Sequence, residues 1–273
     1  YTYSVWANDT NKNWASSSDT FVVQDNIKPM ITDVNAVPDP QEVGKYVNIT
    51  ANVTDNVKLG GVWINIVSVG NLSMKYDSAS GLYFYNASYS IPDTYAYTIW
   101  ARDISDNWNS TSSSFQIVDI QPPMITDVAE NPDPQELGGY VNITVNVTDN
   151  VKVEKVWVDI VGVGNFSMNY DPLTGLYFYN AAYPLIDTYT YTIWAKDTSD
   201  KWNSSSSSFQ IIDTHPPTIT DATEIPDPQE VSSCVNITVK VEDVVKVEEV
   251  WINIVGIGNR SMRYDSSTLL YFY

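Results

Sequence analysis

YAYTIWA, at Tyr95–Ala101, is the middle of three near-identical copies of one phrase; the others are YTYSVWA at Tyr1–Ala7 and YTYTIWA at Tyr189–Ala195. The copies begin at positions 1, 95 and 189, so the chain repeats with a period of 94 residues. Aromatic and β-branched residues dominate the phrase, which favours a β-strand whose alternate side chains point to opposite faces. We therefore predict that the phrase is the central strand of each repeat.

The rest of the repeating unit predicts further short strands separated by turn signals. For residues 122–215 the seven expected strands are Met124–Val128, Tyr140–Thr148, Val153–Val163, Phe166–Tyr170, Leu176–Tyr183, Tyr189–Asp197 and Ser206–Ile212. No segment shows the 3.6-residue periodicity of a helix. Strands of this number and spacing are typical of a Greek-key β-sandwich. The predicted fold class is all-β, with tandem sandwich domains in a linear rod.

The period also predicts how the chain divides. We expect complete domains at residues 29–121 and 122–215, the last two strands of a repeat at residues 1–28, and the first five strands of another at residues 216–273. Short linkers separate these segments, and a Pro-Pro pair at Pro122–Pro123 and at Pro216–Pro217 excludes helix there and stiffens the chain. Because both ends fall inside a repeat, we expect the sequence to be part of a longer polypeptide.

The composition argues against several classes of function. The formal net charge of −19 argues against nucleic acid or anionic lipid as a partner. The one cysteine, Cys234, cannot build a disulfide framework, and the one histidine, His215, cannot supply a catalytic site in every repeat. There is no glycine-rich phosphate loop, and the apolar runs are too short for a membrane helix. We predict that the chain is not an enzyme and that this segment does not enter a membrane.

Four motifs resemble the tandem immunoglobulin-like repeats of archaeal and bacterial surface proteins. They are the P-P-x-I-T-D joint, the strand V-N-I-T-V-N-V-T-D, the strand V-W-[IV]-[ND]-I and the tyrosine-rich phrase, found in the second complete repeat at Pro122–Asp127, Val141–Asp149, Val156–Ile160 and Tyr189–Ala195. The tyrosine before the central strand is also similar to the tyrosine corner of immunoglobulin and fibronectin type III domains. The resemblance covers the whole chain. It implies immunoglobulin-like sandwiches on a cell surface, and no particular chemistry.

Twelve Asn-x-Ser/Thr sequons predict N-linked glycosylation. They begin at Asn8, Asn48, Asn52, Asn71, Asn86, Asn109, Asn142, Asn146, Asn165, Asn203, Asn236 and Asn259. Asn48 and Asn52 alternate with apolar residues, so we expect the sequons on the solvent face of one sheet of each sandwich. The alternative is that asparagine and threonine only make a polar strand face.

Acidic residues gather where successive repeats are expected to meet. The candidate calcium site consists of Asp93, Asp119, Asp127, Asp149 and Asp197. Carboxylate oxygens are the ligands that calcium prefers, so these loops could hold an ion; no other cofactor is expected. No stretch has the full spacing of a known calcium loop, and a set of solvated acidic loops is the alternative.

Tryptophans are expected to form an exposed face on the second sheet. Val62 and Ile64 alternate with Trp63, which directs Trp63 away from the core, and the same parity applies to Trp100. The candidate interface residues are Trp63, Trp100, Trp157, Trp194 and Trp251. Exposed tryptophan pairs mark an interface or a sugar-binding platform. The alternative is that Trp63 is the core tryptophan common on this strand of such sandwiches.

Together these features predict an extracellular structural repeat protein, a subunit or segment of a glycosylated surface filament, sheath or stalk. One sheet would carry glycans and the other tryptophans for lateral packing. The alternative is an adhesin, or a surface module that binds a carbohydrate or another partner. The expected partners are N-linked glycans and further copies of the chain, with residues 1–28 of one copy completing the open sandwich of residues 216–273 of the next. Sequon density, acidity and the lack of disulfides indicate an archaeal source.

Overall fold

A computed structural model describes all 273 residues, which form 26 β-strands and no helix. The all-β prediction is confirmed, and no helix is present that could cross a membrane. The chain has two compact units. The first comprises Tyr1–Pro122, Asp149–Lys152 and Asp197–Lys201, and the second comprises Pro123–Thr148, Val153–Lys196 and Trp202–Tyr273.

Residues 29–121 form a sandwich of two sheets. Its strands are β3 (Met30–Val37), β4 (Gln41–Glu42), β5 (Tyr46–Thr54), β6 (Leu59–Ile66), β7 (Gly70–Ser73), β8 (Lys75–Asp77), β9 (Leu82–Ser88), β10 (Asp93–Asp103) and β11 (Trp108–Val118). A four-strand sheet has the order β3-β5-β9-β8, and a five-strand sheet has the order β4-β11-β10-β6-β7. Only β4, which runs along β11, pairs in parallel. Ahead of this sandwich, β1 (Thr2–Asn8) and β2 (Trp14–Thr20) form an antiparallel hairpin.

Alternate side chains of the two sheets meet in one hydrophobic core. In β10, which contains the repeated phrase, Tyr97, Ile99 and Ala101 are buried, as their alternation predicts. They pack in the same cluster as apolar residues of β5, β6 and β11. Burial of each large aliphatic side chain contributes roughly 1.5–3 kcal/mol, so a slip of one residue in register would expose the whole face. The hydrophobic alternation therefore sets the register.

The tyrosine that opens the phrase has a specific structural role. The hydroxyl of Tyr95 donates to the carbonyl oxygen of Ile91 at 3.1 Å, and its ring stacks on Phe115 with centroids 5.5 Å apart. In the next repeat the Tyr189 hydroxyl donates to the Leu185 carbonyl at 3.2 Å. A tyrosine hydroxyl bonded to backbone a few residues upstream is the tyrosine corner of immunoglobulin-like folds.

Residues 124–212 form a second sandwich with the same topology. Its strands are β12 (Met124–Asn131), β13 (Gln135–Glu136), β14 (Tyr140–Thr148), β15 (Val153–Ile160), β16 (Gly164–Ser167), β17 (Asn169–Asp171), β18 (Leu176–Ala182), β19 (Asp187–Asp197) and β20 (Trp202–Ile212). The four-strand sheet has the order β12-β14-β18-β17, and the five-strand sheet has the order β13-β20-β19-β15-β16.

The remaining residues form two smaller sheets. Their strands are β21 (Thr218–Ile225), β22 (Asn236–Glu242), β23 (Trp251–Ile254), β24 (Gly258–Ser261), β25 (Arg263–Asp265) and β26 (Leu270–Phe272). The order β21-β22-β26-β25 repeats the four-strand sheet, and β23 pairs with β24. The predicted segment boundaries, and the pairing of residues 1–28 with residues 216–273 of another copy, stay predictions.

The prediction of one strand at Phe166–Tyr170 is wrong. These residues divide between β16, which pairs with β15, and β17, which pairs with β18 in the other sheet. Met168 lies at the crossing, where its side chain is buried and its N–H donates to the Val156 carbonyl at 3.0 Å. The chain can therefore change sheets while it stays fixed to β15. Each complete repeat has nine strands rather than seven, because Gln135–Glu136 and its counterpart also form a short strand.

Candidate metal centres

Three aspartates meet within the first compact unit, where a linker approaches two loops. Asp119 follows β11, Asp149 directly follows β14, and Asp197 is the last residue of β19. Each offers a carboxylate oxygen, and these oxygens all lie within 4.8 Å of one another. Asp119 is 4% exposed and Asp197 is 0% exposed, whereas Asp149 is half-buried. We call this group the second triad.

Hydrogen bonds fix one oxygen of each carboxylate. Asp119 Oδ1 accepts hydrogen bonds from Gln121 N at 3.1 Å and from Asn150 Nδ2 at 3.2 Å. Asp149 Oδ1 accepts from Val151 N and Lys152 N, both at 2.8 Å. Asp197 Oδ1 accepts from Ser199 N at 2.7 Å and from Lys201 N at 2.8 Å. Five of these six donors are backbone N–H groups, so the carboxylates are held by the loops themselves. Their positions are therefore set by the fold rather than by flexible side chains.

The other oxygen of each carboxylate is buried and has no hydrogen-bond partner. This holds for Asp119 Oδ2, Asp149 Oδ2 and Asp197 Oδ2. A buried carboxylate oxygen without a partner is costly, and three like charges at this distance repel one another. A divalent cation between them would offset both costs. Two oxygens that each lie about 2.4 Å from one calcium ion can be at most about 4.8 Å apart, so the spacing fits a shared ion.

The same arrangement occurs 94 residues earlier, in what we call the first triad. Asp25, Asp55 and Asp103 also offer carboxylate oxygens within 4.8 Å of one another. Asp25 Oδ2 and Asp55 Oδ1 are buried without a partner. Asp103 Oδ2 differs from its counterpart in the second triad, because it accepts a hydrogen bond from Asn107 Nδ2 at 2.7 Å. Lys201 stands where the first triad has Asn107.

The hydrogen bonds at Asp103 favour its charged form. Burial alone would raise the pKa of Asp103, but hydrogen bonds from Asn107 and Ser105, with the nearby Arg102 charge, hold that pKa below its ordinary value. A carboxylate with a depressed pKa remains ionised at neutral pH. Asp103 therefore contributes a negative charge to the first triad.

Three of the five predicted calcium ligands belong to a triad, and two do not. Asp93 is exposed, and its Oδ1 accepts the Thr94 N–H at 2.7 Å. Asp127 Oδ2 accepts the Thr126 hydroxyl at 3.1 Å. Both engage their own strands instead of the group, so the predicted set is corrected to three. The prediction also missed the first triad, although the 94-residue period connects its positions to Asp119, Asp149 and Asp197. Binding of an ion stays a prediction.

The third linker has a different set of neighbours. Asp213 occupies the position of Asp119, and it lies with Glu136 and His215. His215 Nδ1 is 3.3 Å from Glu136 Oε2 and 3.9 Å from Asp213 Oδ1. The histidine side chain is exposed, so this group lacks the buried free oxygens of the two triads.

The tryptophans form an exposed face on the five-strand sheet. Val62 and Ile64 fill the core, and Trp63 points the other way, so Trp63 is not a core tryptophan. Trp100 pairs in register with Trp63, but the ring that stacks on Trp63 is Trp108, with centroids 5.6 Å apart. Trp100 is 42% exposed and Trp108 is 44% exposed. Trp108 and its counterpart Trp202 were not among the predicted residues; their 94-residue spacing was the available signal.

The ring geometry differs between the two complete repeats, and so do residues next to the rings: Arg102, whose guanidinium lies over Trp63 and Trp108, is replaced by Lys196, and Gly61 by Lys155. A Cβ atom on Gly61 would lie 2.4 Å from Trp63 Cη2, so the indole of Trp63 lies over this glycine. In the second repeat Lys155 takes the position of Gly61. There Trp157 meets Trp202 edge to face, with centroids 5.1 Å apart and an interplanar angle of 88°. The flat stack, at 26°, belongs to the repeat that has the glycine.

The sequons are not confined to one sheet, and that expectation is wrong. Asn71 and Asn109 lie on β7 and β11 of the five-strand sheet, which also carries the tryptophans. Asn109 Nδ2 donates to the Pro29 carbonyl at 2.8 Å, and Asn203 Nδ2 donates to the Pro123 carbonyl at 2.9 Å. These two asparagines connect strands to linkers. The aromatic face is therefore not free of sequons, and glycosylation itself stays a prediction.

No protein-family model and no curated protein matches the sequence. Solved structures with a similar architecture exist. A tetra-tandem repeat in the extending region of a large adhesion protein is 17% identical, covering 88% of this chain and 63% of that one, with a TM-score of 0.46. The fibronectin(III)-like modules of Clostridium thermocellum CbhA are 16% identical, covering 67% of this chain and 94% of theirs, with a TM-score of 0.28.

The fold is immunoglobulin-like. The paired sheets, the tyrosine corner and the period of 94 residues make the chain a series of such β-sandwich repeats. Cadherin domains 3–6 of protocadherin gamma B2 are 14% identical, covering 83% of this chain and 61% of that one, with a TM-score of 0.33. Likeness at this level does not extend to function.

Proposed function

We propose that the chain is a calcium-stabilised, extracellular structural repeat, a segment of a surface filament, sheath or stalk. The observation that carries the proposal is the second triad, with three buried carboxylate oxygens that have no partner. The first triad supports it, because the arrangement recurs with the period of the chain. A site that recurs at successive linkers of a repeat protein suits a structural role better than a catalytic one.

The chemistry of the triads suits an extracellular setting. Calcium sites with few charged ligands in extracellular modules have dissociation constants of about 10⁻⁴–10⁻³ M, whereas cytosolic calcium sites are tighter. Three carboxylates are a small number of charged ligands, which is typical of the weaker class. The formal charge of −19 and the twelve sequons agree with an exposed, solvated surface.

Thermal unfolding with and without calcium tests the proposal. Calcium at 100 times its dissociation constant should stabilise the folded chain by about 2.7 kcal/mol per site, and a chelator should remove this gain. Asp119→Asn and Asp197→Asn should each reduce the response to calcium. Asp93→Asn and Asp127→Asn are matched controls, because these carboxylates lie outside both triads. No shift with calcium, or an equal loss of response in the control variants, would contradict the proposal.

Adhesion is a second candidate function, favoured by the exposed rings of Trp100 and Trp108. Exposed tryptophans are frequent anchors of binding sites. An adhesin would use these rings for a partner outside the chain, whereas a structural repeat would cover them with its own groups or with neighbouring copies. The calcium sites are compatible with both roles.

A further inference from the structure

We propose that Asn71 is an N-glycosylation acceptor and that the first sugar attached to it packs into a tryptophan-lined cleft beside it. The cleft has a volume of about 210 Å³ and is lined by Trp63, Asn65, Asn71, Trp100 and Trp108. Asn71 begins the sequon Asn71-Leu72-Ser73. The acceptor side chain therefore forms part of the wall of the cleft that its sugar would occupy.

Strand pairing brings the acceptor and the rings together. On β7, Asn71 lies opposite Asn65 of β6, and Ser73 lies opposite Trp63. On the other side of β6, Trp100 of β10 is the register partner of Trp63. Directly opposed residues in a sheet have Cβ atoms about 4.5–5.5 Å apart, and diagonal neighbours are about 7–8 Å apart, which aromatic and long side chains can still span. A sugar on Asn71 Nδ2 is thus within reach of the indoles.

The lining of the cleft suits a sugar ring. One face of a pyranose presents C–H groups, while its rim carries hydroxyls. The indole faces provide apolar surface for the C–H groups, and the Asn65 amide can both donate to and accept from hydroxyls. Tryptophan has two side-chain torsions, so ordering it against a ligand costs little conformational entropy. Charged or purely apolar ligands would use only part of this lining.

A tethered sugar is favoured over a free one by the position of Asn71. Attachment makes packing an intramolecular event, for which the effective concentration is on the order of millimolar or higher. Asn71 is exposed and reachable by a transferase. By contrast, Asn109 on the same sheet uses its Nδ2 to bind the Pro29 carbonyl. Asn71 is therefore the acceptor on this face of the first sandwich.

Glycosylation at Asn71 is a substitution with no change of oxidation state. The donor is an oligosaccharide linked to a lipid phosphate. A bond forms between Asn71 Nδ2 and the anomeric carbon of the first sugar, and the bond from that carbon to the phosphate oxygen breaks. The lipid phosphate leaves with the electron pair, and the proton lost from Nδ2 is taken up by a base of the transferase.

The later repeats keep the acceptor but change its surroundings. Asn165 lies opposite Asp159, and Asn259 lies opposite Asn253. Asn253 Nδ2 donates to Asn259 Oδ1, which leaves the Nδ2 of Asn259 out of that hydrogen bond. The edge-to-face rings of the second repeat do not form the flat stack seen beside Asn71. We therefore expect sugars at all three positions and the strongest packing at Asn71.

Glycopeptide mass spectrometry and thermal unfolding of the protein from its own source test the proposal. Asn71 should carry a glycan. Ser73→Ala, which removes the sequon, should lower the unfolding midpoint by a few degrees. In a Trp100→Ala background the same change should have no further effect, because the sugar has lost its contact. Trp100 and Ser73 are both exposed, so the variants should fold.

A sequon on the other sheet gives the matched control. Ser88→Ala removes the sequon of Asn86 on β9, and its effect should be the same with and without Trp100. The proposal is overturned if Asn71 is unmodified, or if Ser73→Ala and Trp100→Ala have additive effects. It is also overturned if soluble oligosaccharides bind the cleft of the native glycoprotein, because the cleft would then be open to outside ligands. That last outcome would favour adhesion.

Discussion

Tyr89 shows how burial of one polar group connects stability to pH. Its ring is 7% exposed, and its hydroxyl has no hydrogen-bond partner. Burial, with smaller contributions from Tyr85 and Tyr95, raises the pKa of Tyr89 to about 12. In the unfolded chain a tyrosine has a pKa of about 10. Between these values the unfolded state binds fewer protons than the folded state, so stability should fall as pH rises.

The pH dependence of Tyr89 gives a residue-scale prediction. From pH 10 to pH 12 the free energy of unfolding should decrease by about 2 kcal/mol through this side chain. Tyr89→Phe should remove that part of the slope, and at pH 7 it should be as stable as the parent or more so, because an unpartnered hydroxyl is lost. Urea unfolding at a series of pH values measures both. An unchanged slope in the variant would contradict the assignment.

At the scale of elements, two asparagines join strands to linkers. Asn109 Nδ2 on β11 binds the Pro29 carbonyl, and Asn109 Oδ1 accepts the Ser110 N–H at 2.9 Å. Asn109→Ala should therefore destabilise the chain by about 1 kcal/mol. Thr111→Ala removes the same sequon but keeps the asparagine, and it should cost less. Chemical denaturation of the unglycosylated protein compares them. If both variants lose stability equally, the hydrogen bond to the linker is not the reason.

The strands also show what a sequence of this kind can predict. The buried faces of β6, β10 and β14 could be predicted because their period of two is visible in the order of apolar residues. The division between β16 and β17 could not be predicted from the sequence. The alternation of side chains around Met168 is compatible with pairing in either sheet, so it does not show where the chain changes from one sheet to the other. The position of this change depends on a hydrogen bond to Val156, twelve residues earlier on the neighbouring strand, which strand alternation does not reveal. Tertiary contacts decided this boundary.

Only three of the five predicted calcium ligands form a triad, because strand alternation does not fix the direction of every side chain. Asp119, Asp149 and Asp197 could be brought together from the expected meeting of one repeat's linker, which carries Asp119, with the loops of the next repeat that carry Asp149 and Asp197. Asp93 and Asp127 could not be excluded in the same way, because Asp93 is the first residue of β10 and Asp127 lies where the pairing of β12 with β14 shifts register, so strand alternation does not fix their directions. Asp127 has a φ of 53°, a local conformation that the alternation of a strand does not reveal.

At the scale of the whole molecule, each local feature occurs once in every complete repeat, and sequence differences between the repeats change its geometry. The tyrosine corner, the triad of aspartates and the sequon of Asn71 recur at intervals of 94 residues. Lys155 takes the position of Gly61, which lies beneath the flat tryptophan stack, and Lys201 takes the position of Asn107, which donates to Asp103 Oδ2. Near-identical repeats therefore need not have identical properties.

The two triads should consequently bind calcium with unequal affinity. In the second triad all three Oδ2 atoms lack a partner, whereas in the first triad Asn107 already donates to Asp103 Oδ2. An ion at the first triad must compete with that hydrogen bond, so the second triad should fill first. Calorimetric titration with calcium should show two classes of site. Asp197→Asn should remove the tighter class and Asp103→Asn the weaker one. A single class of equal sites, or loss of the weaker class in Asp197→Asn, would contradict this order.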